Sequence, residues 1–262
     1  MQRISIITGA TSGIGLEFAK LIAKENTNIL LISRDEQKLL TLKQQLEIIT
    51  NNNIDYIAVD LSENINEWIE VIKQKVRGKN LLYVINNAGF GDFAEFSECD
   101  IEKQNKMINL NIVALTNISK LFLELAKESK ADSYLLNVAS VAAYMSGPLM
   151  SVYYATKAYV LSFTRAIIFE NRNNKNIHIS VLCPGPTNTQ FIKSSSLENS
   201  GLFYNLKTMS ACDVAKLGLI GLKQDKKEII TGVFNRLSVF LSKFAPKNLS
   251  EFVVYRIMKR KK

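Results

Sequence analysis

The stretch "ISIITGATSGIG", residues 4–15, joins an apolar run to a loop with glycines at 9, 13 and 15, and then to helical spacing. A near-continuous apolar run points to a strand buried on both faces. Without a Cβ, glycine holds positive φ easily and lets backbone approach a ligand. Such a loop can therefore bring Gly9, Thr11, Ser12, Gly13, Ile14 and Gly15, and the N-terminus of the next helix, against a pyrophosphate. A plain strand-to-helix turn would also use glycines, so the rest of the chain has to decide between the two.

Beyond residue 15 the strand-then-helix pattern repeats. Short runs rich in Ile, Val and Leu recur at 28–33, 54–60, 81–86, 133–140 and 177–183. Between them lie segments of helical spacing, such as Leu39, Leu42 and Leu46, and the long stretch from Glu102 to Ser129. Alternating β and α units of this kind predict an α/β Rossmann-type fold, a doubly wound parallel sheet flanked by helices. The "TNNN" and "ENRNNKN" segments read as turns before strands, and no proline-rich or low-complexity linker interrupts the series. A single domain over 1–262 is expected.

Composition narrows the function. Cys99, Cys183 and Cys212 make neither a disulfide framework nor a Cys-x-x-Cys pair, which fits a reducing, cytoplasmic setting with structural thiols. No apolar run is long enough for a membrane span, and the start does not read as a signal peptide. The single histidine, His178, sits in an alternating strand and argues against histidine-rich metal sites; no metal is expected. Residues 190–262 hold 14 Lys and Arg against five Asp and Glu, while the preceding residues are balanced at 19 each. The whole net charge of +9 therefore lies in the C-terminal segment.

After the second strand, "ISRDEQKL" puts Ser33 and Arg34 where an acid for the ribose 2′-hydroxyl often stands, a pair suited to a 2′-phosphate and hence to NADP(H). In the competing reading Arg34 is an ordinary exposed residue and Asp35 caps the next helix or meets the ribose. Asp60 and Leu61, ending the third strand, suit an adenine amino group and ring, or else Asp60 caps a helix. Asn87, Ala88 and Gly89, in "NNAGFG" after the fourth strand, are small enough to let a cofactor approach the backbone.

In "SVYYATKAYV", residues 151–160, Tyr153 stands four before Lys157 on one helical face, and Tyr154 stands three before it. Spacing alone does not choose between the two tyrosines. Ser140 lies thirteen residues before Tyr153, at the carboxyl edge of the fifth strand, where open α/β sheets place their ligands.

Taken together, Thr8–Gly15, Asn86–Gly89, Ser140, Tyr153–Lys157 and Pro184-Gly185 resemble the motifs of the short-chain dehydrogenase/reductase family over about residues 3 to 192. The resemblance implies that Tyr153 is the active tyrosine, a proton donor and acceptor whose phenolate the Lys157 cation favours. It implies that the Ser140 hydroxyl stabilises the developing oxyanion and that Asn111, rather than Asn109, holds a water linking Lys157 to solvent. It further implies that Lys157 holds the nicotinamide ribose, that Pro184 and Gly185 shape the nicotinamide pocket, and that Thr187 and Thr189 meet the carboxamide. Without a cofactor, Pro184 and Pro186 in "CPGPTNTQF", residues 183–191, mark an ordinary turn.

The expected activity is hydride transfer between NADP(H) and a small-molecule carbonyl or alcohol. A 3-oxoacyl thioester leads, with steroid-like and xenobiotic carbonyls open, and the resemblance implies a homodimer or homotetramer. The alternative is a non-catalytic NADP(H)-binding sensor or scaffold with a basic recruiting tail. Residues 191–210, with Phe203, Tyr204 and Leu206, read as a substrate lid. Residues 235–262 read as basic amphipathic helices, with Leu237, Phe240, Leu241 and Phe244 on one face and Leu249, Phe252, Val253 and Ile257 following Pro246. Packing on the substrate cleft, a subunit contact and peripheral contact with an anionic membrane all stay open for them, as does a basic entrance that steers an acidic substrate such as an acyl thioester carrying phosphates. Without a recognition module beside the charge, nucleic acid is not an expected partner.

Overall fold

A computed structural model describes residues 2–197, 200–201 and 208–259. Its centre is a seven-stranded parallel sheet with helical crossovers on both faces. From one edge to the other run β3 (Ile54–Ala58), β2 (Asn28–Ser33), β1 (Arg3–Thr8), β4 (Asn80–Asn86), β5 (Ser133–Val138), β6 (Ile177–Cys183) and β9 (Glu228–Ile230). Chain order reverses between β1 and β4, and this switch point opens a crevice beyond the strands' carboxyl ends. A two-residue pair, β7 (Thr187–Asn188) with β8 (Met209–Ser210), stands apart from the main sheet.

Helices cover both faces. On one side α1 (Gly13–Ile22), α2 (Glu36–Glu47) and α8 (Ala211–Lys223) bury Phe18, Leu39, Leu42 and Leu222 against the sheet. The other face is covered by α3 (Ile65–Val76), α5 (Leu115–Glu128) and α6 (Ser151–Glu170), with Trp68, Ile72, Phe122 and Ile167 packed inward. The stretch predicted as one long helix is α4 (Ile101–Ile108), a π-helical turn over Asn109–Ala114, and α5. Its length and hydropathy pass for a membrane span, yet its apolar face is spent on the sheet. Among the described residues the remaining helices are α7 (Phe191–Ser194), α9 (Val233–Ser242) and α10 (Lys247–Met258). His178 stacks on Tyr134 at 4.6 Å and faces Asp225, as a structural strand residue would.

Candidate active site

A cleft of about 720 Å³ lies above the switch point and takes in nearly every residue singled out from the sequence. Its floor begins where β1 ends. The Thr8 hydroxyl accepts from the backbone N–H groups of Asn87 and Ala88, each at 3.0 Å, locking the glycine loop to the end of β4. Asn87 completes the lock by donating through Nδ2 to the carbonyls of Thr8 and Gly9. Gly9 and Gly13 have φ of +63° and +54°, conformations that cost a side-chain-bearing residue free energy. Gly15 is needed for space, because a Cβ there would lie 2.2 Å from the Gly9 carbonyl oxygen.

The Ser12 side chain makes no capping bond, which leaves the first turn of α1 open to an anion beside Ser12, Gly13 and Ile14 in the cleft lining. Thr11 and Ser33 join hydroxyls at 2.8 Å and so tie the loop to the end of β2. Arg34 is 69% exposed at its side chain, over the outer end of the cleft, with Asp60 3.7 Å away. Asp35 caps α2 by accepting from the Lys38 backbone and also pairs with the Lys38 ammonium at 2.8 Å. Of the two sequence readings, this gives Asp35 the capping role. Lys38 itself lines the cleft as a second cation, which the sequence reading missed. Its position three after Asp35 on α2 was the available signal.

Asp60 accepts from the backbone N–H and hydroxyl of Ser62, forming its own turn, while α3 starts after Asn64. Burial opposes its charge, but the Ser62 hydrogen bonds and Arg34 hold its carboxyl below the usual range. Leu61 is buried against the sheet and still reaches the cleft, next to Val59. These groups present the acceptor and apolar edge that an adenine requires. With the glycine loop and the open helix terminus, the residues present fit a dinucleotide.

At the inner end, α6 brings Tyr153 and Lys157 to one wall, and the turn after β5 brings Ser140 to the other. Ser140 caps the 3₁₀ turn Val141–Tyr144, donates at 3.4 Å to the Pro184 carbonyl and stands close enough to the Tyr153 hydroxyl to favour its ionised form. Of the two adjacent tyrosines, it is therefore Tyr153 that meets the serine. Tyr154 instead lies on Gly147, where a Cβ would come within 2.2 Å of its ring, and burial pushes its hydroxyl up to about 12.

The Lys157 ammonium donates to the Val138 carbonyl at 2.9 Å and stands 5.8 Å from the Tyr153 ring centre. Burial lowers it to about 8, and burial likewise raises Tyr153, offset in part by Ser140. The sequence reading expected the lysine cation to favour the phenolate; in the structure burial pushes the Tyr153 hydroxyl upward, and Ser140 acts against that rise.

Asn111 is buried in the π-helical turn, donating to the Phe90 carbonyl and the Thr156 hydroxyl, each at 3.0 Å, and accepting from the Phe90 N–H. A Cβ on Gly89 would lie 2.9 Å from Asn111 Oδ1 and 3.5 Å from Lys157 Nζ, so glycine keeps that corner open. Asn109 is more than a polar surface residue: it donates to the Ser62 carbonyl, away from the lysine. Pro184, Gly185, Thr187 and Thr189 line the cleft's far side, with Thr189 packed over Gly13.

The walls beyond Tyr153 are apolar. Phe90, Met150, Tyr154, Phe191 and Leu197 line them, and α10 adds Val254 and Met258 to the cluster behind. Ser195 is buried and accepts from the Gly91 N–H, fastening the described part of the predicted lid to the cleft. Phe203, Tyr204 and Leu206 lie outside the described residues. Phe90 and Met150 were also missed from sequence, since nothing in an isolated aromatic or methionine separates a pocket wall from a core.

A parallel sheet with a glycine-rich loop and a Ser, Tyr and Lys group in one crevice defines a Rossmann-like α/β class of protein. The chain belongs to the short-chain dehydrogenase family, whose sequence model, described as short chain dehydrogenase, matches residues 3–200. It is 32% identical to the 17-beta-hydroxysteroid dehydrogenase type 3 of Mus musculus over 196 residues, covering 74% of this chain and 63% of the relative. It is 28% identical to the very-long-chain 3-oxoacyl-CoA reductase of Mycosarcoma maydis over 194 residues, covering 73% and 53%. The chain thus spans under two thirds of the length of these curated relatives. Among solved structures it resembles a short-chain dehydrogenase from Sphingobium yanoikuyae in complex with NADPH, with a TM-score of 0.79 and 22% identity over 93% of this chain and 94% of that one.

Proposed function

We propose that the protein is an NADP(H)-dependent carbonyl reductase, or the reverse alcohol dehydrogenase, acting on a ketone or aldehyde with a large apolar body. The observation that carries this reading is the convergence of Ser140, Tyr153, Lys157 and Asn111 at the inner end of a cleft whose outer end suits a dinucleotide. A sensor or scaffold would need the outer end alone.

When bound, the nicotinamide cofactor supplies or accepts the hydride. Gly9, Thr11, Ser12, Gly13, Ile14 and Gly15 would hold the pyrophosphate, while Asp60, Leu61, Asn87, Ala88 and Gly89 would receive the adenosine and ribose side. Ser33, Arg34 and Lys38 would receive the 2′-phosphate. Lys157 would orient the inner ribose, and Pro184, Gly185, Thr187 and Thr189 the carboxamide. Tyr153, protonated at rest, would give its hydroxyl proton to the substrate oxygen during reduction, while the Ser140 hydroxyl donates a hydrogen bond to that oxygen as its negative charge develops. Lys157 and a water held by Asn111 would return the proton.

The apolar walls support a substrate such as a long-chain 3-oxoacyl thioester or a steroid. The names of the two curated relatives favour the same classes. The test monitors NADPH absorbance with 3-oxoacyl thioesters, steroid ketones and small aldehydes, using Tyr153→Phe as the blank. We expect consumption that Tyr153→Phe abolishes while it still binds NADPH. Undiminished turnover in Tyr153→Phe would refute the role given to that residue, and tight NADPH binding without turnover on any substrate would favour the sensor.

A further inference from the structure

Amphipathic helices of a folded domain normally turn their apolar stripe inward. In α9 the arrangement is reversed. Val239 is its buried residue, whereas Val233, Phe234, Leu237, Phe240 and Leu241 are all more than half exposed, Phe234 to 82%. At about 100° per residue these five fall within an arc of about 120°, and Phe244, 73% exposed, extends the same arc past the helix end. The next helix repeats the reversal: Val254 and Met258 are buried, while Leu249, Phe252, Val253 and Ile257 face outward.

Singly exposed apolar residues are ordinary, but two consecutive helices presenting apolar outer faces mark a contact surface. Charge indicates what it contacts. Residues 233–259 carry five basic side chains, Arg236, Lys243, Lys247, Arg256 and Lys259, against the single acid Glu251. A second copy of the same face would bring like charges together, whereas the headgroups of an anionic bilayer complement them. Arg256 lies against the Phe252 ring at 5.4 Å, within the apolar stripe itself, an amphipathic pairing suited to the boundary between headgroups and acyl chains.

We infer that α9 and α10 together form a docking face for an anionic phospholipid surface. The reverse side of α10 is the back of the apolar cleft, where Val254 and Met258 pack with Met150 and Leu197 around Tyr153 and Phe191. One helix therefore separates the membrane from the substrate end of the cleft, a route for an apolar substrate drawn from the bilayer. The docking face stands whether or not the proposed chemistry does, and vesicle binding reads it without substrate.

The full chain is sedimented with vesicles of phosphatidylcholine alone and of phosphatidylcholine with about one third phosphatidylserine. Binding is expected on the anionic vesicles, weakened at least about tenfold when salt rises from about 0.1 M to about 1 M. The double variant Phe234→Ser, Phe240→Ser should bind about tenfold more weakly with an unchanged circular dichroism spectrum. Lys243→Glu should weaken binding on the anionic vesicles alone. Equal binding to both vesicle types, no binding to either, or full binding by the double serine variant would each overturn the inference. So would a concentration-dependent dimer that the double variant dissolves, which would assign the face to a second copy.

Discussion

Lys157 holds an ammonium group where a cation is expensive. Burial brings it down to about 8 from an ordinary 10.5, and its hydrogen bond to the Val138 carbonyl does not repay the cost of desolvation. Because the folded value lies below the unfolded one, the folded state at neutral pH bears the full penalty of the charged form. That penalty is relieved as pH rises through about 8, so stability should increase between about pH 8 and pH 10. Above that window the sign reverses for Tyr153, whose raised value favours the fold only while it stays protonated. Lys157→Met should abolish turnover yet raise stability at pH 7 by on the order of 2 kcal/mol, after allowing for the lost hydrogen bond. Denaturant melts of both proteins at pH 7 and pH 9.5 check this: the gain should shrink at the higher pH, and a loss of stability at pH 7 would show that the lysine is structural. Sequence spacing brought Tyr153, Lys157 and Ser140 to one place, but it said nothing of the dielectric around them. Proximity to a cation pointed to a more acidic tyrosine, whereas burial pushes its hydroxyl the other way.

At the scale of elements, three segments must stay in register for Ser140 to face Tyr153. The Tyr144 hydroxyl, at the end of the turn that Ser140 caps, donates to Glu228 of β9, and Arg165 of α6 clasps the other carboxylate oxygen through Nε at 3.0 Å and Nη2 at 2.6 Å. One carboxylate thus ties the serine turn, the tyrosine helix and the edge strand. Glu228→Ala should cost about 1–2 kcal/mol, since it strands a half-buried hydroxyl and a partly exposed guanidinium, and should lower turnover without changing NADPH affinity. A urea melt and steady-state kinetics test both, and an unchanged midpoint would mean that the three segments hold themselves. This tie was not legible in the sequence. The runs at 28–33 and 177–183 coincide with β2 and β6, because long apolar strands buried on both faces advertise themselves. By contrast β9 has three residues, too few for any periodicity, and takes its place only by pairing with β6. The π-helical turn that aims Asn111 was hidden for a related reason: it is a change in hydrogen-bond register with no residue type of its own. For α9 and α10 the spacing identified residues that share a face, but not whether that face looks in or out.

Across the whole molecule, the cleft is built from both halves of the sheet. The loops after β1, β2 and β3 supply its outer end, and those after β4, β5 and β6 its inner end, with the Thr8 bonds to Asn87 and Ala88 as the seam. A dinucleotide spanning the two ends would be lost whenever either half opened, so it should stabilise the chain as one unit. If the chain is the single domain its sequence suggests, heating should give one transition, and NADPH should move all of it. At about one hundred times its dissociation constant the cofactor should add about 2.7 kcal/mol, a rise of about 2–4 °C per kcal/mol at most for a domain of this size. Under the proposed reading, a preference for NADPH over NADH would enter through Arg34 and Lys38, the two cations at the outer end beyond Ser33. Arg34 is mostly exposed and its contact with Asp60 is long, so Arg34→Ala should leave the melting temperature without cofactor nearly unchanged. At one fixed cofactor concentration it should remove most of the NADPH-induced rise while sparing whatever rise NADH gives. Equal losses for both cofactors would mean that the arginine positions the adenosine generally, and a second transition unmoved by NADPH would divide the chain into parts that fold separately.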